Sequence, residues 1–163
     1  MSQILAIGEA QLARVLALNN AHAVETSLLA EAQLKRMLDE AFLATRIGDV
    51  DAFLIVFDQR ATYDSPNFAW FLGRYPEFVY VDRVITGPNA RGRGYARALY
   101  GDLFEKAAVR GHKRVVCEVN FHPPNPGSDA FHASLGFAEV GRQLLPGSGK
   151  TVRYLSKNIP SSD

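Results

Sequence analysis

Residues 78–97 read FVYVDRVITGPNARGRGYAR, and their periodicity changes halfway. Up to Thr86 the side chains alternate as in a strand, with Phe78, Tyr80, Asp82, Val84 and Thr86 on one face and Val79, Val81, Arg83 and Ile85 on the other. Gly87-Pro88 breaks the strand. From Gly94 onward Ala96, Leu99, Tyr100, Leu103 and Ala107 recur at helical spacing, until Gly111 supplies a left-handed stop. Residues 113–120, KRVVCEVN, return to a strand pattern. Strand, glycine loop, helix and strand in this order imply two parallel strands joined by a crossover helix.

The loop at the centre of that unit carries chemistry. Gly92 and Gly94 at the mouth of a helix let successive backbone N–H groups converge on one concavity, and the helix dipole adds attraction for an anion. Arg91, Arg93 and Arg97 offer further positive charge, so the loop is suited to a phosphate. A dinucleotide fingerprint requires a third glycine where Arg97 stands; Glu118 falls at about the distance of a ribose-binding acid, but the flanking segments pattern as antiparallel strands. A second candidate, Gly147-Ser148-Gly149-Lys150-Thr151, has the ending of a Walker A loop but Leu144 in place of its first glycine. It joins two strands and reads as a hairpin turn.

Outward from this unit, residues 2–7 can form a short strand, and Leu12, Val15 and Leu16 lie at helical spacing within residues 9–19. Thr26 or Ser27 is placed to cap a second helix whose apolar stripe is Leu34, Met37, Leu38 and Phe42. Residues 41–47 and 52–57 form an antiparallel hairpin about Gly48-Asp49. Residues 58–77 interleave Tyr63, Phe68, Trp70, Phe71 and Tyr75 with Asp64, Pro66, Gly73 and Pro76, too many turn formers for one regular element. This segment is expected to cover a substrate or to be a long loop pinned to the core by its aromatics. After the proline-rich residues 122–127, a short helix runs from Ser128 or Asp129 to Leu135, and strands over 137–144 and 150–157 close the chain about residues 146–149.

With 163 residues, 47% of them hydrophobic, the chain suffices for one core, and residues 1–159 are expected to form a single domain followed by a flexible tail over 160–163. Eighteen basic residues against 17 acidic give no sequence-independent pull toward nucleic acid or an anionic membrane. No segment patterns as a signal peptide or a membrane span, so a cytoplasmic location is expected. Cys117 is the one cysteine and lies in an apolar run, while His22, His112 and His122 show no ligand spacing; no metal site is expected.

Two sets of residues carry a family resemblance, strongest over residues 78–137. Arg91, Gly94 and Ala96 follow a strand ending Val84-Ile85-Thr86 and a Pro88, and Asn125, Ser128, His132, Gly136 and Phe137 form a second spaced set downstream. In both respects the chain resembles the GNAT N-acetyltransferases. The resemblance implies an α/β (α+β) fold with a mixed, mostly antiparallel central sheet, two splayed parallel central strands and flanking helices. It implies acetyl-CoA as cosubstrate, its pyrophosphate held at Arg91, Gly92, Arg93, Gly94, Tyr95, Ala96 and Arg97. The pantetheine arm would lie along Val84, Ile85 and Thr86, and Asn125 would position the arm or thiol. Family members often pair into dimers, so a homodimer is a further implication. His132 occupies the place where the family usually has a tyrosine that protonates the departing thiolate, which marks an atypical branch. An imidazolium with an ordinary pKa of about 6.5 can donate that proton near neutrality.

The reaction so implied is transfer of acetyl to a primary amine, of a small molecule, an amino acid or a protein or peptide, by direct attack. It needs a group to manage the substrate ammonium. Glu118 and Asp82 are the candidates, with Tyr80 near the position where some family members carry a glutamate base. Glu118 is flanked by Val116, Cys117 and Val119, so it serves as base directly or through water, binds the ammonium, or pairs ordinarily with Arg83. The alternative from another class is a non-catalytic acyl-CoA-binding module or sensor.

Overall fold

The structure, a computed structural model, describes residues 3–22 and 27–160. The elements are β1 (Ile4–Ala6), α1 (Leu12–Ala21), α2 (Glu31–Glu40), β2 (Leu43–Ile47), β3 (Ala52–Asp58), α3 (Pro66–Leu72), β4 (Val79–Thr86), α4 (Tyr95–Val109), β5 (Arg114–His122), α5 (Pro126–Ser134), β6 (Ala138–Leu145) and β7 (Lys150–Asn158). The seven strands form one sheet in the order β1-β2-β3-β4-β5-β7-β6. Every neighbouring pair is antiparallel except β4 and β5. This is the mixed α/β architecture implied by the motifs.

The parallel pair is short. β4 and β5 meet only at Val79↔Val115 and Tyr80↔Val116, after which they part. On the other side of β4 the register with β3 shifts: Ile55 pairs with Arg83 but Val56 pairs with Val81, leaving Asp82 as the extra residue of a β-bulge. The strict alternation expected along residues 78–86 therefore fails. Phe78 and Tyr80 share a layer with Ile85, whereas Val79 and Val81 share the opposite layer with Val84. A bulge adds one residue and so inverts the faces beyond it.

Apolar side chains fill both sides of the sheet. One layer joins Leu12 and Val15 of α1, Leu34 and Met37 of α2, and Phe68 and Phe71 of α3 to Phe53, Phe57, Tyr80 and Tyr154 of the strands. The other sets Leu99, Tyr100, Leu103 and Ala107 of α4 and Phe137 against Leu54, Val56, Val79, Val115 and Cys117. The stripe read along α4 is thus the buried one, and Gly94 and Gly111 lie at its two ends with φ +74 and +83.

Three local expectations are corrected. The second helix begins at Glu31 with Ala30 as its cap; Ser27 lies ahead of it and binds α1 through its carbonyl, which accepts from Asn19 Nδ2 at 2.7 Å, while Thr26 lies outside the described residues. Phe42 falls beyond its end and packs in the opposite layer. Within residues 58–77 the chain does form a helix, α3. Ser65 accepts from Phe68 N, Pro66 occupies the first turn, and Phe68 and Phe71 are fully buried. Burying two such rings contributes about 1.5–3 kcal/mol each, enough to hold a two-turn helix that local propensity alone would not. The helix expected from Ser128 or Asp129 starts earlier, at Pro126, because Asn125 Oδ1 accepts from Ser128 N at 3.2 Å.

Candidate active site

The loop between β4 and α4 is open. Arg91, Gly92, Arg93 and Gly94 are exposed, and Gly92 and Gly94 adopt φ +80 and +74. A Cβ placed on either would meet nothing within 4 Å, so glycine is required there by backbone conformation and not by crowding. The first backbone bond returning to the loop is Ala98 N to Gly94 O, at 3.0 Å, so the amides of Ala96 and Arg97 have no carbonyl one turn back. Arg91 lies 3.3 Å from His22 Nε2, and Arg97 donates to Ser134 Oγ at 2.8 Å, tying α4 to α5. Val84, Ile85 and Thr86 lead into the loop paired to β3 on one edge, while their other edge lies beyond the last residue matched to β5.

Glu118 sits two residues beyond the point where β4 and β5 separate. Its Oε1 accepts from Tyr80 Oη at 3.0 Å and from Asn67 Nδ2 at 3.1 Å. The residue is half-buried, yet Oε2 is out of contact with solvent and has no hydrogen-bond partner. Burial, reinforced by the nearby Asp82 charge and opposed by the two donors, pushes the carboxyl up to about 8. The Tyr80 phenol is held well above its usual value by burial and by Glu118.

The ion pair considered for Glu118 with Arg83 belongs instead to Asp82. Arg83 Nε donates to Asp82 Oδ2 at 2.6 Å, with side chains only 4% and 5% exposed, and Arg83 Nη1 donates to Asn19 Oδ1 at 2.7 Å. The bulge is the reason: it turns Arg83 onto the α1 side, beside the residue that precedes it. The Asp82 charge helps to raise the Glu118 carboxyl and the phenols of Tyr63 and Tyr80.

His132 lies in the layer opposite Tyr80, 5% exposed and surrounded by Tyr100, Phe131 and Phe137. Nδ1 is 2.8 Å from the Ser128 carbonyl, so it carries the proton, and Nε2 accepts from Tyr100 Oη at 2.7 Å. Burial lowers the pKa of this imidazole. Asn125, expected at the arm or thiol, spends its Oδ1 on capping α5.

Two polar residues of this region were not singled out by sequence. Asn67, on α3, reaches Glu118 across 51 positions of chain, and Tyr154, on β7, donates to Asn67 Oδ1 at 2.8 Å. Nothing local marks either, since each acquires its role only when α3 packs over β5 and β7. Among the described residues no group of three or more His, Cys, Asp or Glu side chains is placed to hold a metal ion, and no helix is long and apolar enough to cross a membrane.

Set against known proteins, residues 30–137, more than half of the sequence, match the Acetyltransferase (GNAT) family. The chain belongs to that family. No curated protein matches it. Solved structures similar to it include the ribosomal-protein-S18-alanine N-acetyltransferase from Escherichia coli, at 18% identity and TM-score 0.75 over 100% of this chain and 97% of that one. A second is the phosphinothricin acetyltransferase from Sinorhizobium meliloti in complex with AcCoA, at 16% identity and TM-score 0.73 over 97% and 88%. A third is the ribosomal-protein-alanine N-acetyltransferase from Brucella melitensis, at 23% identity and TM-score 0.70 over 96% and 99%. At these identities the likeness establishes the fold.

Proposed function

We propose that the protein is an N-acetyltransferase that moves an acetyl group from acetyl-CoA to a primary amine by direct attack, with Glu118 as the base. The observation that carries this reading is the Glu118 carboxyl at the parting of β4 and β5, one oxygen held by two donors and the other buried without a partner. When bound, acetyl-CoA supplies an activated acyl group as a thioester.

The loop fits that cosubstrate. Its two positive-φ glycines have open space where side chains would otherwise stand, and the helix N-terminus and three arginines favour an anion. Residues 91–97 would hold the pyrophosphate, and the free edge of Val84 to Thr86 would take the arm. A primary amine reaches the site largely as ammonium and must lose a proton before attack. The Glu118 carboxylate is the group to take it, directly or through water, and a carboxyl near 8 does so with useful efficiency at slightly alkaline pH. Asp82, already paired with Arg83, shapes the field around Glu118. His132 is the candidate donor to the leaving sulfur, for which Nε2 would have to release Tyr100 and first take up a proton, a step that burial of the imidazole opposes. A thiol whose pKa is about 8.5 also departs tolerably without that help.

The test is acceptor-dependent release of free thiol from acetyl-CoA over small amines, amino acids and peptides with free N-termini. Wild-type protein is expected to turn over at least one of these classes. Glu118→Gln should be slower by about 10²–10⁴-fold with CoA affinity retained. Tight CoA binding with no acceptor-dependent release would instead identify an acyl-CoA-binding module, and full turnover by Glu118→Gln would remove Glu118 from the role of base.

A further inference from the structure

The Glu118 carboxyl is held asymmetrically, and the asymmetry originates outside its own strand pair. Both donors, Tyr80 Oη and Asn67 Nδ2, fall on Oε1. A carboxylate gripped by one oxygen can still rotate unless its donors are themselves fixed. Tyr80 is fixed by complete burial within β4. Asn67 is fixed by Tyr154, whose hydroxyl donates to Asn67 Oδ1 at 2.8 Å and thereby turns the amide N–H₂ toward Glu118. Tyr154 Oη also lies 3.2 Å from Gln143 Oε1, but a phenol has one proton, and the shorter contact to Asn67 is the stronger one.

The helix that carries Asn67 is anchored to the same strand. Trp70, one turn on from Asn67, stacks on the Tyr154 ring at 4.2 Å and 21°. It also lies so close to Gly141 of β6 that a Cβ there would come within 2.3 Å of Trp70 Cζ2. Phe71 packs edge-on against Tyr154 at 5.1 Å. α3 thus rests on β6 and β7 through Trp70 and Phe71 and points Asn67 at β5.

We propose that Asn67, oriented by Tyr154, is the positioning residue that fixes the Glu118 carboxyl through Oε1 at the parting of β4 and β5 and favours its charged form there. The inference rests on Glu118 being the base. It extends that reading by assigning to α3 and β7 the job of setting how the carboxyl is held and how readily it carries its charge. The other titratable or charged groups that act on Glu118, or on which it acts, are Tyr80 and Asp82 of β4, Tyr154 of β7, Cys117 of β5 and Tyr100 of α4, with Arg83 neutralising Asp82.

A merely structural asparagine and a positioning one differ in what they do to the proton on Glu118. In protein with ¹³C-labelled glutamate carboxyls, the Glu118 resonance is assigned by its loss in Glu118→Gln and titrated against pH. Asn67→Ala removes a donor that favours the charged carboxylate, so its midpoint should rise by about one unit above wild type. Tyr154→Phe should shift it in the same direction by less, because the amide remains but loses its orientation. Thermal melts establish that each variant is folded, and Thr62→Ala, on the neighbouring loop and outside the network, should leave the midpoint where it is. An unmoved midpoint in folded Asn67→Ala overturns the inference. This outcome is separable from failure of the functional reading, which is decided by thiol release from Glu118→Gln and does not depend on Asn67.

Discussion

Tyr80 donates to Glu118 Oε1 at 3.0 Å, and Tyr80 is also the last residue of β4 matched to β5. The hydrogen bond spans the fork at the point where the sheet opens. A buried carboxyl is thereby placed within the opening while one of its oxygens stays unpartnered. Its consequences can be measured without knowing the acceptor.

Stability should depend on pH through Glu118. Folding raises this carboxyl from its ordinary range to about 8, so between roughly pH 4.5 and 8 the folded state holds a proton that the unfolded state has released. Stability from this group is full below the unfolded pKa and is lost as pH rises through the folded one. Glu118→Gln has no proton to lose, so the variant should gain on wild type by a few kcal/mol between pH 5 and pH 9 in urea denaturation. A constant difference across that range would contradict the assignment.

The Tyr100–His132 contact should behave as a coupled buried pair. His132→Phe leaves the Tyr100 hydroxyl without its 2.7 Å acceptor and should cost about 1–3 kcal/mol. The double variant Tyr100→Phe/His132→Phe should be more stable than the two single costs add up to, because neither polar partner is then left behind. Denaturation of the four proteins in the cycle measures this coupling.

Two glycines of the same region should respond to alanine with opposite sign. At Gly94, φ +74 makes a side chain strained by about 1 kcal/mol, and the altered loop should bind CoA about tenfold more weakly. Gly101 lies on the exposed face of α4 with open space around it, and Gly101→Ala should stabilise by about 0.5–1 kcal/mol with CoA affinity unchanged. Calorimetric titration with CoA and thermal melts distinguish the two.

Gly141 should tolerate no side chain. A methyl group there meets Trp70 Cζ2 and Cη2 at 2.3 and 2.7 Å, so Gly141→Ala must displace the ring and should cost about 1–3 kcal/mol. Because the ring is part of the seat of α3, intrinsic tryptophan fluorescence should change in the folded protein as well, the chain having a single tryptophan.

Much of this protein was legible along the chain. The strand, glycine loop, helix and strand over residues 78–120 and the two flanking hairpins could be read because periodicity, positive-φ glycines and turn residues are properties of near neighbours. α3 was hidden by its own composition. Pro66 at its start and Gly73 and Pro76 just after it punctuate the segment locally, and only burial of Phe68 and Phe71 makes it a helix.

The sequence by itself determined the glycine loop at the start of α4, the residues of the opening strands and the presence of an acidic side chain in an apolar run. Tertiary structure decided what each of those groups does. The bulge at Asp82 cannot be seen in an alternating pattern, yet it inverts the far half of β4 and gives Arg83 to Asp82, leaving Glu118 without a cation. Glu118 then takes its partners from residues 38 and 51 positions away, through contacts that exist only once three elements have packed. Local pattern can encode a residue's chemistry, but its protonation depends on burial and on the charges around it, and these are assembled from distant parts of the chain.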